Sequence, residues 1–108
     1  MIIMELRELQ KRINEFIDDK NIDTTVETRM IDLVNELGEL CKEILIGNGY
    51  GKKQFAKTED WKNEIGDVLF SLILLANSTK TDMEDALTLV LEKYEKRYGA
   101  KGHIDSGG

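Results

Sequence analysis

Two short stretches of this 108-residue chain hold acids in a pattern that can do chemistry. In Asn35-Glu36-Leu37-Gly38-Glu39-Leu40 the glutamates stand three apart, so on a helix turning roughly 100° per residue their carboxylates adjoin on one face. Glu64-Ile65-Gly66-Asp67 repeats the spacing at the head of a run, Val68 to Ala76, that is apolar nearly all the way round. A helix of that composition is a buried helix. Carboxylates at its head, packed against a second pair on the preceding helix, suffer desolvation and mutual repulsion unless a cation lies among them. Oxygen donors without histidine or thiolate make a hard site, which suits Mg²⁺ or Mn²⁺ and not zinc or copper. Diiron bundles need Glu-x-x-His pairs, and the single histidine, His103, stands in a Gly/Ser-containing tail. One such acid pair in a charged helical protein is ordinarily solvated surface. Two pairs on successive helices, each with a glycine immediately before its second acid, are less easily dismissed. Gly38 and Gly66 each cost about 1 kcal/mol of helix propensity relative to alanine, which predicts close helix contact beside the carboxylates.

Four amphipathic segments must position these groups. Leu6, Leu9, Ile13, Phe16 and Ile17 recur at spacings of three and four, predicting a helix from Met1 to about Asp19. After a polar break, Thr24 or Thr25 caps a second helix that runs to about Ile46. Gly47-Asn48-Gly49-Tyr50-Gly51, followed by Lys52, Lys53 and Lys57, then forms the longest loop, either a connector or a lid. Thr58 caps the third helix, with Glu59 and Asp60 in its first turn, and that helix continues to about Thr79. Thr81-Asp82-Met83-Glu84 reads as a capping box for a fourth helix ending near Tyr98-Gly99. The expectation is an all-α, four-helix bundle-like protomer: one domain over residues 1–99 and a flexible tail over 100–108.

Composition agrees. Charged residues make up 33%, hydrophobic ones 41% and aromatics 6%, with no proline, which excludes disorder, a membrane-embedded chain and a turn-rich β sandwich. With 21 acids against 15 bases the net charge is −6, so a sequence-independent grip on nucleic acid is not expected. The lone Cys41 forms no intrachain disulfide and reads as a small buried residue. With no secretory signal before the first helix, a cytoplasmic location follows. The third helix is apolar on every side, more than a unit this small can cover, which predicts a homodimer or a dimer of dimers.

Glu36-Leu37-Gly38-Glu39-Leu40, followed by Glu64-Ile65-Gly66-Asp67-Val68-Leu69-Phe70, resembles the E-x-x-E … E-x-x-D signature of the MazG-type, all-α nucleoside triphosphate pyrophosphohydrolases. Leu74-Leu75-Ala76-Asn77 and Lys93-Tyr94-Glu95-Lys96-Arg97-Tyr98 resemble later positions of the same family, so the likeness covers roughly residues 25 to 98. The resemblance implies that Glu36, Glu39, Glu64 and Asp67 hold Mg²⁺ and supply the catalytic carboxylates, while Lys93 and Arg97 meet the triphosphate. Asn35 and Asn63 stand where many or some members carry a further acid, and Asp60 where some carry lysine. These departures leave open the metal count and which carboxylate activates water.

The implied reaction is attack of water on the α-phosphorus of a (deoxy)nucleoside triphosphate, giving monophosphate and pyrophosphate in nucleotide-pool housecleaning. The cation reconciles an acidic protein with an anionic substrate. Lys93 and Arg97 lie at i, i+4 and can point at one ligand, or simply complement a helix C-terminus. Trp61 can stack on a base or anchor packing. Asn77 can hydrogen-bond a sugar or base, and Gln10 and Asn14 on the first helix can line the same pocket. The competing readings are a non-catalytic dimerisation module and a nucleotide or metal sensor without turnover.

Overall fold

The computed structural model describes residues 5–20 and 22–101. They form α1 (Leu6–Asp19), α2 (Val26–Gly47), α3 (Trp61–Ser78) and α4 (Met83–Lys101), with no strand among the described residues. Most of the 100–108 tail, His103 included, lies outside the described residues, and α4 runs through Gly99 to Lys101.

α2 opens as its sequence dictates. Thr25 is in extended backbone and its hydroxyl oxygen accepts the Thr28 amide at 3.1 Å, the side-chain cap that a threonine before an apolar-periodic run provides. The next two starts differ from expectation. α3 begins at Trp61 with no side-chain cap, because the Thr58 hydroxyl instead donates to Glu43 Oε1 at 2.7 Å. α4 is capped by Asp82, whose Oδ1 accepts the Asp85 amide at 3.0 Å. Thr81 pairs its hydroxyl with that of Thr79 at 2.9 Å, and Glu84 turns to Arg7, so the capping box does not form.

α2 and α3 make the main packed pair. They run antiparallel, since Glu43 near the end of α2 meets Thr58 just before α3 while Glu36, two turns earlier, meets Asp67. The intervening loop carries hydrogen bonds of its own. The Ala56 amide donates to the Gly47 carbonyl at 3.0 Å, the Tyr50 amide to Leu45 O at 2.7 Å, and the Gly51 amide to Asn48 Oδ1 at 2.9 Å. Gly47 has no room for a side chain, because a Cβ there would stand 2.6 Å from both the Ala56 carbonyl oxygen and the Phe55 ring.

α1 lies across α3, its Phe16 ring meeting Phe70 edge-on with centroids 6.4 Å apart. Polar contacts then fix it to the α3–α4 turn. Buried Gln10 donates through Nε2 to Asn77 Oδ1 and to the Thr81 carbonyl, both at 2.9 Å, and accepts the Met83 amide at 2.9 Å. Arg7 spreads its guanidinium over Asp82, Glu84 and Asp85 at 2.7 to 3.2 Å.

The core of the described residues is thin. Leu33 and Ile73 are the only buried hydrophobic residues among those described, whereas Met30, Val34, Leu37, Ile65, Leu69 and Leu72 stay 40–55% exposed. Cys41, expected inside, is exposed on the same open stripe of α2. The sequence expectation for Cys41 fails because no described element covers that stripe. No described helix is long and apolar enough to cross a membrane.

Candidate metal and nucleotide site

The antiparallel α2–α3 pair brings the two acidic motifs together. Glu36, Glu64 and Asp67 each present a carboxylate oxygen within 4.8 Å of the others. Glu36 and Glu64 are half-buried and Asp67 exposed. Glu39, the fourth predicted acid, is exposed beside this triad and close enough to act on Glu64 electrostatically. Desolvation first, then the charges of Asp67, Glu39, Glu36 and Glu43, push the Glu64 carboxyl above its ordinary value.

Glu43 is the member that sequence reasoning missed. It lies one turn beyond Glu39 and two beyond Glu36, so the extension of the acidic face to i+7 was the available signal. Its Oε1 is taken by the Thr58 hydroxyl, which ties the loop to the acidic end of α2.

An oxygen-only cluster with this spacing, lacking any cation of its own among the three carboxylates, fits a small divalent ion of the Mg²⁺ or Mn²⁺ type. The prediction that Gly38 and Gly66 permit close helix contact is not met in the structure, because a Cβ at either would meet nothing within 4 Å. The ground beside the acids is open. A groove of about 540 Å³ flanks Asp67, lined by Glu59, Lys62, Asn63, Gly66 and Phe70.

The other predicted contacts are dispersed. Trp61, one turn ahead of Glu64, packs edge-on against Phe55 with centroids 5.0 Å apart and remains half-buried. Asn77 lies about 15 Å along α3 from Asp67 by helix rise. Its amide is committed to Gln10, donating to the Gln10 carbonyl at 3.0 Å and accepting from Nε2. Gln10 and Asn14 do share a cavity of about 400 Å³ with it. Lys93 and Arg97 sit on α4, both over the Tyr94 ring, 5.1 and 5.9 Å from its centroid. Nη1 of Arg97 is shielded from solvent and finds no acceptor among the described residues.

The family model for the MazG nucleotide pyrophosphohydrolase domain matches residues 24–100, which includes both acidic motifs and the α4 cations. The chain belongs to the MazG family. The crystal structure of a Bacillus-conserved MazG protein, a nucleotide pyrophosphohydrolase, superposes with a TM-score of 0.74 at 30% identity, over 87% of this chain and 93% of that one. The crystal structure of YpjD from Bacillus subtilis gives 0.75 at 33% identity, over 90% and 99%. In sequence, the YpjD protein of Bacillus subtilis strain 168 is 45% identical over 71 residues, 63% of this chain and 62% of that protein. An 18.2 kDa protein from the rep-hol intergenic region of Haemophilus phage HP1 is 31% identical over 80 residues, 72% of this chain and 44% of its own. The chain thus spans less than two thirds of the curated relatives it matches. The MazG fold and the all-α reading therefore stand together, with the acidic triad at the junction of α2 and α3.

Proposed function

We propose that this MazG-family chain is a Mg²⁺-dependent pyrophosphohydrolase that cleaves a (deoxy)nucleoside triphosphate to the monophosphate and pyrophosphate. The convergence of Glu36, Glu64 and Asp67 within 4.8 Å carries the reading. These three would hold the ion, which when bound neutralises phosphate oxygens and stabilises charge on the departing pyrophosphate. Glu39, beside the triad and exposed, accepts the proton of the attacking water as its oxygen bonds to the α-phosphorus and the bridging oxygen leaves with pyrophosphate. Lys93 and Arg97 grip the triphosphate, Arg97 with a fork suited to phosphate. Trp61, one turn ahead of Glu64 on α3, offers an aromatic edge to the base. Asn77 is placed to order α1 and to reach a nucleotide only with the part of its amide that Gln10 leaves free. Nucleotide-pool housecleaning in the cytoplasm, as a homodimer or dimer of dimers, is the setting this chemistry suits. The acidic surface speaks against nucleic acid as a partner.

Pyrophosphate release is to be measured over a panel of nucleoside triphosphates with and without Mg²⁺. Release that needs the ion and falls about 10²- to 10⁴-fold in Glu39→Gln and Asp67→Asn is expected. Binding without release would identify a sensor. Neither binding nor release for any nucleotide would identify a helical association module.

A further inference from the structure

The carboxylates of the candidate metal site are held in register by something other than the apolar core. Leu33 and Ile73, the buried hydrophobic residues among those described, lie on the side of the acids away from the α2–α3 loop. On the loop side Ile44, Leu45, Ile46 and Ile65 stay 40–47% exposed. The start of α3 is equally loose: no side chain caps it, and Asp60, where a cap would stand, is already in helical backbone. Gly38 and Gly66 lock nothing, since the space beside each is open. Yet Glu64 and Asp67 ride in the first two turns of this helix. A slip of α3 by one residue would carry Glu64 roughly 100° round the axis and about 1.5 Å along it, out of the triad. Repulsion of Glu64 by Glu36, Glu39 and Glu43 across the helix pair pushes the same way.

One bond opposes it. The Thr58 hydroxyl donates to Glu43 Oε1 at 2.7 Å, between two half-buried side chains. Thr58 is joined directly to α3, because the Trp61 amide donates to its carbonyl at 3.3 Å. Glu43 stands on the acidic face of α2, one turn beyond Glu39. The bond therefore runs from the face that carries Glu36 and Glu39 to the residue from which α3, with Glu64 and Asp67, departs. Two neighbouring contacts brace it. The Ala56 amide holds the Gly47 carbonyl at 3.0 Å, and the Phe55 ring fills the space that a side chain at Gly47 would need while packing edge-on to Trp61. Glu43 itself lies outside the converging triad, and of the four acids whose charge acts on Glu64 its effect is the smallest. Its carboxylate already has a donor, and a hydrogen bond to an ionised acceptor is of the strong kind. This is the arrangement of an outer partner that orients metal ligands without touching the ion.

We propose that Glu43 and Thr58 are positioning residues for the metal site: their bond fixes the register of α3 on α2, so that Glu36, Glu64 and Asp67 converge, while Glu43 does not itself ligate the ion. The proposal rests on the metal-dependent reading above.

Substitutions at the two residues separate positioning from ligation. Mn²⁺ binding to the intact, nucleotide-free protein is measured from the electron paramagnetic resonance signal of the free ion, with Asp67→Asn as the control for loss of a ligand. Thr58→Val keeps the shape and removes the donor, and Glu43→Ala removes the acceptor; each should weaken binding about 10- to 100-fold. Thr58→Ser keeps the donor, and Glu43→Gln keeps an acceptor oxygen for it without the charge, so both should stay within about threefold of the wild type. Glu43→Gln that binds as poorly as Asp67→Asn makes Glu43 a ligand and overturns the proposal. Thr58→Val that binds Mn²⁺ like the wild type overturns it too, because the bond is then only a tether for the loop. If Thr58→Val does not fold by circular dichroism, the contrast between Glu43→Ala and Glu43→Gln decides, and equal affinities for these two overturn the proposal. A wild type that binds no Mn²⁺ refutes the metal reading alone. The register is then read in the metal-free chain by amide hydrogen exchange, where Thr58→Val must speed exchange over residues 61–67 and Thr58→Ser must not. Equal exchange there in Thr58→Val and the wild type overturns the positioning role.

Discussion

Glu64 is where the conflict between fold and charge is sharpest. Its carboxyl is held above the ordinary range by desolvation and by Asp67, Glu39, Glu36 and Glu43, so the fold favours its protonated form. The stability it lends is complete below the usual glutamate value and is lost as pH rises through the raised one. In metal-free buffer, the melting temperature of the wild type should therefore fall relative to Glu64→Gln as pH is raised from about 4 to about 7. Mg²⁺ should restore it, by an increment that grows with pH in the wild type and is small in the variant; parallel curves for the two proteins would disprove this assignment. The acidic pairs were legible in the sequence because charge, glycine and helical period are all local signals. Gln10 and Asn77 were not, since their side chains meet across 67 positions and no local pattern marks the pairing. The sequence suggested that both line a nucleotide pocket; in the structure they border one cavity and their mutual hydrogen bonds also dock α1. Gln10→Ala removes three hydrogen bonds from a buried site and should cost about 2–4 kcal/mol in chemical denaturation.

At the scale of the element, four helices followed from apolar periodicity, but their starts depended on side chains with distant alternatives. Thr25 caps α2 as its position predicts, its hydroxyl accepting the Thr28 amide and donating to the Thr28 hydroxyl. Thr58 has Glu43 within reach, and a bond to a carboxylate outweighs a cap on an exposed helix end. Asp82 displaces Thr81 as the α4 cap because it serves the Asp85 amide and Arg7 together. The Asp85 amide and then Arg7 hold its carboxyl below the ordinary aspartate value. The stability it contributes at neutral pH is therefore lost as pH falls through that depressed value. Asp82→Ala should lower the melting temperature by about 4–6 °C at pH 7. Asp82→Asn should keep most of the cap and flatten the acid limb of the melting curve, measured by circular dichroism from pH 3 upward. The loop between α2 and α3 depends on a different constraint. Gly47→Ala drives a methyl into the Ala56 carbonyl and the Phe55 ring, and the expected result is faster proteolysis within residues 48–60 with α1 still protected.

For the whole molecule, a radius of gyration of 17.1 Å compares with about 13 Å for a compact chain of this length. Among the described residues α4 makes its main contact with α1, and the open faces of α2 and α3 remain uncovered. The sequence already indicated that α3 has more apolar surface than three neighbours can hide. It could not say which face stays open, since that depends on where α1 and α2 settle. Phe70 takes the α1 side of α3, and Glu64 and Ser71 take the α2 side. Ile65, Leu69 and Leu72, spaced at i, i+4 and i+7, are left as the third face. Leu69 is 44% exposed within the protomer, so Leu69→Lys breaks little inside it and inserts a charge into any interface built on that face. Light scattering should then report a mass halved relative to the wild type, together with loss of pyrophosphate release. If association is obligatory for folding, the variant unfolds, and the wild-type melting temperature must rise with protein concentration, since subunit binding stabilises only the folded chain. A wild type whose melting temperature ignores concentration, paired with a Leu69→Lys variant of unchanged mass, would leave the α3 face solvent-exposed and remove the reason for a second copy.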